Sequence, residues 1–158
     1  MEIFQTHHRR LKVLAYRLVG DGWEDVLQDA YVRAFRSFPA FQASKGSVGA
    51  WLATIVYRLS LDELERAAHR GRRGSDVEAL ANLPSSARVE PGAELGSVLS
   101  QLPDKTRAAV LLVDLLDFTY DEAAAILGVS RATLATRLSA GRSSLRLAVT
   151  ESSPEEAT

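Results

Sequence analysis

The segment Thr119-Tyr-Asp-Glu122, followed at Gly128-Val-Ser130 by a glycine turn, constrains this chain more than any other feature. Threonine and glutamate three residues apart form a capping box, in which each side chain satisfies an exposed backbone donor at a helix start. A short helix is therefore predicted through Leu127, a turn over 128–130, and a final helix capped by Ser130 from Arg131 to about Val149. Two helices joined by so short a glycine-containing turn form a helix-turn-helix. Ala123, Ala124, Leu127, Val129, Leu134, Leu138 and Leu145 fall on the inner face of the pair, and Arg131, Thr133, Thr136 and Arg137 on the outer face. The second helix of such a pair fits the DNA major groove with its first turns at the base edges. The competing reading is an ordinary helix pair with solvated arginines. Just upstream, Pro103-Asp104 opens a further helix carrying Ala108, Leu111, Leu112, Leu115 and Leu116, since proline is tolerated where its missing N–H is not needed.

The first 70 residues also follow helical spacing. Phe4, Leu11, Leu14, Ala15 and Leu18 share one face before Gly20-Asp21-Gly22 breaks the helix. Leu27, Ala30, Tyr31, Ala34 and Phe38 define a second helix that stops beside Pro39. The stretch 42–49 lacks a period and reads as a loop. A third helix is expected from about Ala50, with Trp51, Leu52, Ile55 and Leu59 turned inward. The expected fold class is all-α: two small helical domains, residues 1–73 and 98–149, joined by a flexible acidic linker over 74–97 and followed by an acidic tail over 150–158.

A formal net charge of −1 looks unsuited to nucleic acid until it is divided along the chain. Residues 1–74 carry +4, residues 75–97 carry −3, residues 98–149 carry +1 and residues 150–158 carry −3. Arg66, Arg70, Arg72 and Arg73 concentrate the positive charge where it can follow phosphates, or equally complement the negative end of a helix. With no cysteine there is neither a disulfide framework nor a thiolate ligand set. No apolar run is long enough for a signal peptide or a bilayer span, so a cytoplasmic protein without a membrane partner is expected. An enzyme is not: His7, His8 and His69 form no ligand set, and there is no glycine-rich phosphate loop or nucleophile motif. Asp62, Glu63 and Glu65 read as a solvated acidic face, and no cofactor or metal is expected.

Both halves resemble the extracytoplasmic-function (ECF) group of the sigma-70 family. Glu24-Asp-Val-Leu-Gln-Asp-Ala-Tyr-Val-Arg-Ala-Phe35 resembles the family's polymerase-binding helix. Phe41, the loop 42–49, Trp51-Leu52, Ile55 and Asp62 resemble the segment that captures and opens the minus-ten element. Leu102-Pro103, Arg107, Thr119 to Ala124, Gly128, Thr133, Arg137, Leu138 and Arg142 resemble the minus-thirty-five reader. The resemblance implies a sigma factor directing promoter-specific initiation. Its polymerase-binding residues would be Asp25, Gln28, Asp29 and Arg33, its minus-ten residues Lys45, Ser47, Trp51, Arg58, Arg66 and Arg70, and its minus-thirty-five residues Arg131, Thr133, Thr136, Arg137 and Arg142. Implied partners are the clamp of core RNA polymerase, promoter duplex, the opened non-template strand and an anti-sigma factor, with a monomer when free.

Departures from the family pattern bear on promoter choice. The turn over 20–24 is short and contains Trp23, Arg58 stands where relatives carry a strand-contacting asparagine, and Ala132, Ala135 and Ala140 replace a frequent glycine and two frequent basic residues. Weak minus-thirty-five binding by the second domain alone is expected. Two alternatives stay open at this point: a dimeric helix-turn-helix repressor, and a polymerase-binding regulator without promoter recognition.

Overall fold

A computed structural model describes residues 2–73 and 93–152; most of the expected linker and the end of the acidic tail lie outside them. Helix α1 spans Glu2–Val19 and α2 Trp23–Ser37. Helix α3 spans Val48–Arg73 and α4 Ala93–Ser100. Helix α5 spans Asp104–Val110 and passes into a π-helical turn, Leu111–Leu115. Helices α6, Tyr120–Leu127, and α7, Arg131–Ser152, complete the order, with no strand among the described residues.

Helices α1, α2 and α3 form the first bundle around Leu11, Leu14, Ala15, Leu18, Leu27, Ala30, Ala34, Leu52, Val56 and Leu59. The second bundle is built from α4 to α7 around Leu99, Leu111, Leu112, Leu134 and Leu138. Helix α3 starts earlier than the periodicity suggests, because Ser47 caps it: the Ala50 N–H donates to Ser47 Oγ at 3.1 Å. Phe38 is 42% exposed, since α2 ends one residue before it and the 3₁₀ turn Phe38–Ala40 turns it off the core face. Helix α4 takes up part of the segment read as linker, and α7 runs three residues past Val149.

The helix-turn-helix forms as the sequence requires. Thr119 accepts from the Glu122 N–H at 3.1 Å and Glu122 accepts from the Thr119 N–H at 3.1 Å. Gly128 adopts φ +68°, the left-handed C-cap that glycine occupies without strain, and Ser130 Oγ accepts from the Thr133 N–H at 3.1 Å.

The two bundles do not stand apart. Helix α6 lies on α3, α5 and the π turn touch α1, and the buried residues of both bundles form one cluster. Arg107 is 9% exposed and closes this junction. It donates to Leu99 O at 2.9 Å, Ser100 O at 3.3 Å and Leu102 O at 2.9 Å within its own bundle, and to Leu18 O at 3.3 Å and Arg17 O at 3.5 Å at the end of α1. Arg17, Leu18 and Ser100 stand at helix ends, where carbonyls lack intrahelical partners, Leu102 lies in the turn that follows, and Leu99 O also accepts the Leu102 N–H at 3.1 Å; a buried guanidinium with five N–H groups suits such a set.

Candidate polymerase and nucleic-acid interfaces

Helix α2 buries Val26, Leu27, Ala30 and Ala34, which leaves Asp25, Gln28, Asp29 and Arg33 exposed on its opposite side. Beside them, α1 and α2 border an apolar groove of about 440 Å³ lined by Phe4, His8, Tyr31, Val32, Phe35 and Arg36. Phe4 meets the Tyr31 ring edge-on at 5.4 Å, and Tyr31 hydrogen-bonds to His8. Phe35 is 75% exposed, a large apolar side chain held in water next to a row of acid and amide groups. That combination suits a protein partner. Sequence reasoning identified the polar row but not the groove, because the i, i+3 spacing of Val32 and Phe35 merges with the α2 core period.

The expected minus-ten residues lie along the start and outer length of α3. Lys45 and Ser47 are exposed on the loop, and Arg58 is exposed nearly three turns into the helix. Trp51 is half-buried and packs at 5.2 Å from Phe41 and 6.2 Å from Phe38, themselves 6.1 Å apart. The three rings form a partly open aromatic cluster at the loop, with faces on which a base can stack. Arg66 and Arg70 both approach Glu63, at 3.9 and 2.8 Å, so their charge is shared with a neighbour on the same helix.

In the second bundle, Arg131, Thr133 and Thr136 stand exposed at the start of α7. Arg131 pairs with Asp121 at 3.4 Å across an exposed surface, a contact of little energetic weight. Arg137 is half-buried and close enough to Tyr57 on α3 for its charge to oppose the upward push that burial exerts on that phenol. Arg142 is engaged differently from the others. It makes a two-pronged pair with Asp114 at 3.0 and 2.7 Å, and this pair, then a hydrogen bond involving Tyr120, hold the guanidinium firmly charged. The pair braces α7 against the π turn.

Sequence reasoning missed a link between the domains through Glu122. Ser47 Oγ donates to Glu122 Oε2 at 2.8 Å, joining the loop before α3 to the capping box of the helix-turn-helix. Burial pushes the Glu122 carboxyl up, but hydrogen bonds from Thr119 and Ser47 and the nearby Arg10 charge outweigh it and hold it below its ordinary value. Among the described residues no cluster of three His, Cys, Asp or Glu side chains is arranged to hold a metal ion.

An all-helical chain with an acid and amide row on one domain and a capped helix-turn-helix on the other has the parts of a DNA-binding transcription protein. Residues 3–70 match sigma-70 region 2 and residues 93–145 match sigma-70 region 4. The ECF RNA polymerase sigma factor SigE of Mycolicibacterium smegmatis is 35% identical over 99% of this chain, which spans 63% of that protein. SigM of Mycobacterium tuberculosis is 35% identical over 91% of this chain and 74% of its own length. The sigma factor RpoE of Bartonella quintana, solved with the anti-sigma factor NepR, superposes with a TM-score of 0.74 at 25% identity, covering 95% of this chain and 96% of that one. The chain belongs to the ECF group of the sigma-70 family of RNA polymerase sigma factors.

Proposed function

We propose that this sigma factor binds core RNA polymerase in the cytoplasm and directs promoter-specific initiation, with residues 1–73 and 98–149 as its working modules. The observation that carries the reading is the succession of regions 2 and 4 along one chain. Asp25, Gln28, Asp29 and Arg33 face the polymerase clamp, and the apolar groove beside them supplies the dehydrated part of the contact. Lys45, Ser47, Trp51, Arg58, Arg66 and Arg70 serve the minus-ten element. Extruding a base costs a few kcal/mol, and stacking on an aromatic side chain returns about 1–3 kcal/mol per base. The Phe38, Phe41 and Trp51 cluster is placed to supply that return.

Upstream duplex is read by Arg131, Thr133, Thr136 and Arg137, while Arg142 steadies α7 through Asp114 and takes phosphate only if it leaves that partner. An anti-sigma factor is a fitting partner, since the relative from Bartonella quintana was solved with one. Core-polymerase binding by the full chain tests the reading. Asp25→Ala combined with Gln28→Ala is expected to weaken binding by about tenfold to a hundredfold without loss of helicity, as expected when two groups lose polar partners in an interface. Absence of binding by the unaltered chain contradicts the reading.

A second reading, a polymerase-binding regulator without promoter recognition, draws on Ala135, Ala140 and the engagement of Arg142 with Asp114. Run-off transcription separates the two, because only a sigma factor starts new transcripts.

A further inference from the structure

We propose that the recess between α1 and the π turn is a binding site for a nucleotide carrying two or more phosphates. The recess has a volume of about 920 Å³, within the range of small-molecule sites. Arg9, Arg10, Lys12 and Arg17 line it from α1, and Leu115 and Asp117 wall it from the second bundle. At about 100° per residue the four cations fall on one half of the α1 circumference, together with Val13 and Tyr16. Asp117 is the one carboxylate of the lining, so four positive charges against one leave a surplus of three.

These cations are held in place without being neutralised. Arg10 donates to Leu116 O from Nε at 3.1 Å and from Nη2 at 2.7 Å, and lies 3.8 Å from the centre of the Phe118 ring. Its charge also reaches Glu122, so Arg9, Lys12 and Arg17 carry most of the surplus. Arg17 lies across α4 at Gly96, where a β-carbon would collide with its Nη1. Among the described residues no carboxylate stands within ion-pair distance of Arg9, Arg10, Lys12 or Arg17. Arg9 and Lys12 are moreover like charges three residues apart, an arrangement that weakens a helix unless an anion lies between them. A merely solvated basic face explains exposed cations, but not their convergence on a concave wall that Gly96 and the π turn help to build.

Charge, length and lining together define the ligand. Guanidinium groups present paired donors that match phosphate oxygens, and three surplus charges suit a diphosphate or triphosphate better than a monophosphate. Arg9 and Arg17 are separated by about 12 Å along the helix at 1.5 Å per residue, room for phosphates at one end and a base at the other. The base end is marked by Tyr16, 38% exposed, with the half-buried Val13 and Leu115 beside it in the lining. The Arg17 guanidinium is 5.5 Å from the centre of the Tyr16 ring, and a base can stack on either plane. Stacking accepts any base, so the site selects for phosphates more than for base identity. A single nucleic-acid strand offers the same groups, but it binds along a groove several nucleotides long, and a bounded recess favours the compact ligand.

The test is calorimetric titration of the full chain with ATP and with GTP at about 0.15 M salt, where loose surface attraction is largely screened. Both are expected to bind with similar affinity, and AMP and inorganic tripolyphosphate each about tenfold or more weaker. Arg9→Ala combined with Lys12→Ala is expected to weaken ATP binding by about tenfold to a hundredfold, with helicity retained because both side chains are exposed. Tyr16→Ala weakens ATP binding and leaves tripolyphosphate unchanged, whereas Tyr16→Phe keeps the ring and the affinity. Lys105→Ala combined with Arg146→Ala removes two exposed charges elsewhere and leaves ATP binding unchanged. Absence of ATP and GTP binding at millimolar concentration overturns the site, as does an equal loss in the two double variants. Equal affinity for tripolyphosphate and ATP, or indifference to Tyr16→Ala, overturns the nucleotide assignment. Tighter binding of a single-stranded oligonucleotide, lost in the Arg9 and Lys12 variant, overturns the compact ligand. The titration contains no polymerase, so its failure leaves the sigma-factor reading untouched.

Discussion

Arg107 and Glu122 are polar side chains whose hydrogen bonds join the two bundles. Arg107 satisfies five backbone carbonyls from a position 9% exposed, so truncation leaves helix-end oxygens of both bundles without their donor. Arg107→Ala is expected to lower unfolding stability by about 2–4 kcal/mol, measured by urea titration of the full chain. The sequence places Arg107 only by its family resemblance, as part of a DNA-reading region; its role at the junction depends on carbonyls 8 and 89 residues away, which no local pattern reveals. Acid should loosen the molecule in two stages. Burial and the Arg10 charge lower the His7 pKa, and hydrogen bonds lower that of Glu122, so in both cases the unfolded chain binds protons more readily than the folded one. The stability His7 contributes is complete above about 6.5 and is lost as pH falls through its lower folded value. That of Glu122 is complete above about 4.5 and is lost below it in the same sense. The melting temperature should fall across both windows, with His7→Gln flattening the upper one and Glu122→Gln the lower; a profile unchanged by either substitution would contradict this assignment.

At the scale of elements, α7 depends on close approach to α5. A β-carbon at Gly141 would lie 2.6 Å from Val110 Cγ2 and 3.0 Å from Thr106 Cγ2. Alanine improves helix propensity by about 1 kcal/mol over glycine, but forcing a methyl into a filled interface costs about 1–3 kcal/mol, and the clash is expected to win. Gly141→Ala should therefore lower the melting temperature, and a rise would show that α5 and α7 separate easily. The helix-turn-helix was legible because its signals are local: Thr119 with Glu122, Gly128, and Ser130 each act within a few residues. The π turn was not. Leu111, Leu112, Leu115 and Leu116 have the same spacing in an ordinary helix, and the change shows only in hydrogen bonds and in the φ of Asp117. The start of α3 was misplaced by two residues for a similar reason, since Ser47 lies among loop-forming residues and Ala50 stands where a capping box would carry an acid.

For the whole molecule, the two bundles and their order could be read from periodicity and from the acidic, proline-containing break between them. Their docking could not. Arg10 and Leu116 are 106 residues apart and Ser47 and Glu122 are 75 apart, and each pair joins surfaces that look ordinary in isolation. The candidate DNA residues accordingly divide into those that stand exposed on the face local pattern predicts, such as Arg131, Thr133 and Thr136, and those whose partners it missed, such as Ser47, Arg137 and Arg142. The most direct measurement is run-off transcription by purified core polymerase on a promoter library, with the start sites sequenced. Addition of this chain should produce new transcripts sharing upstream motifs at two fixed spacings, and Asp25→Ala with Gln28→Ala should reduce them. A polymerase whose start sites are the same with and without the chain would contradict its role as a sigma factor.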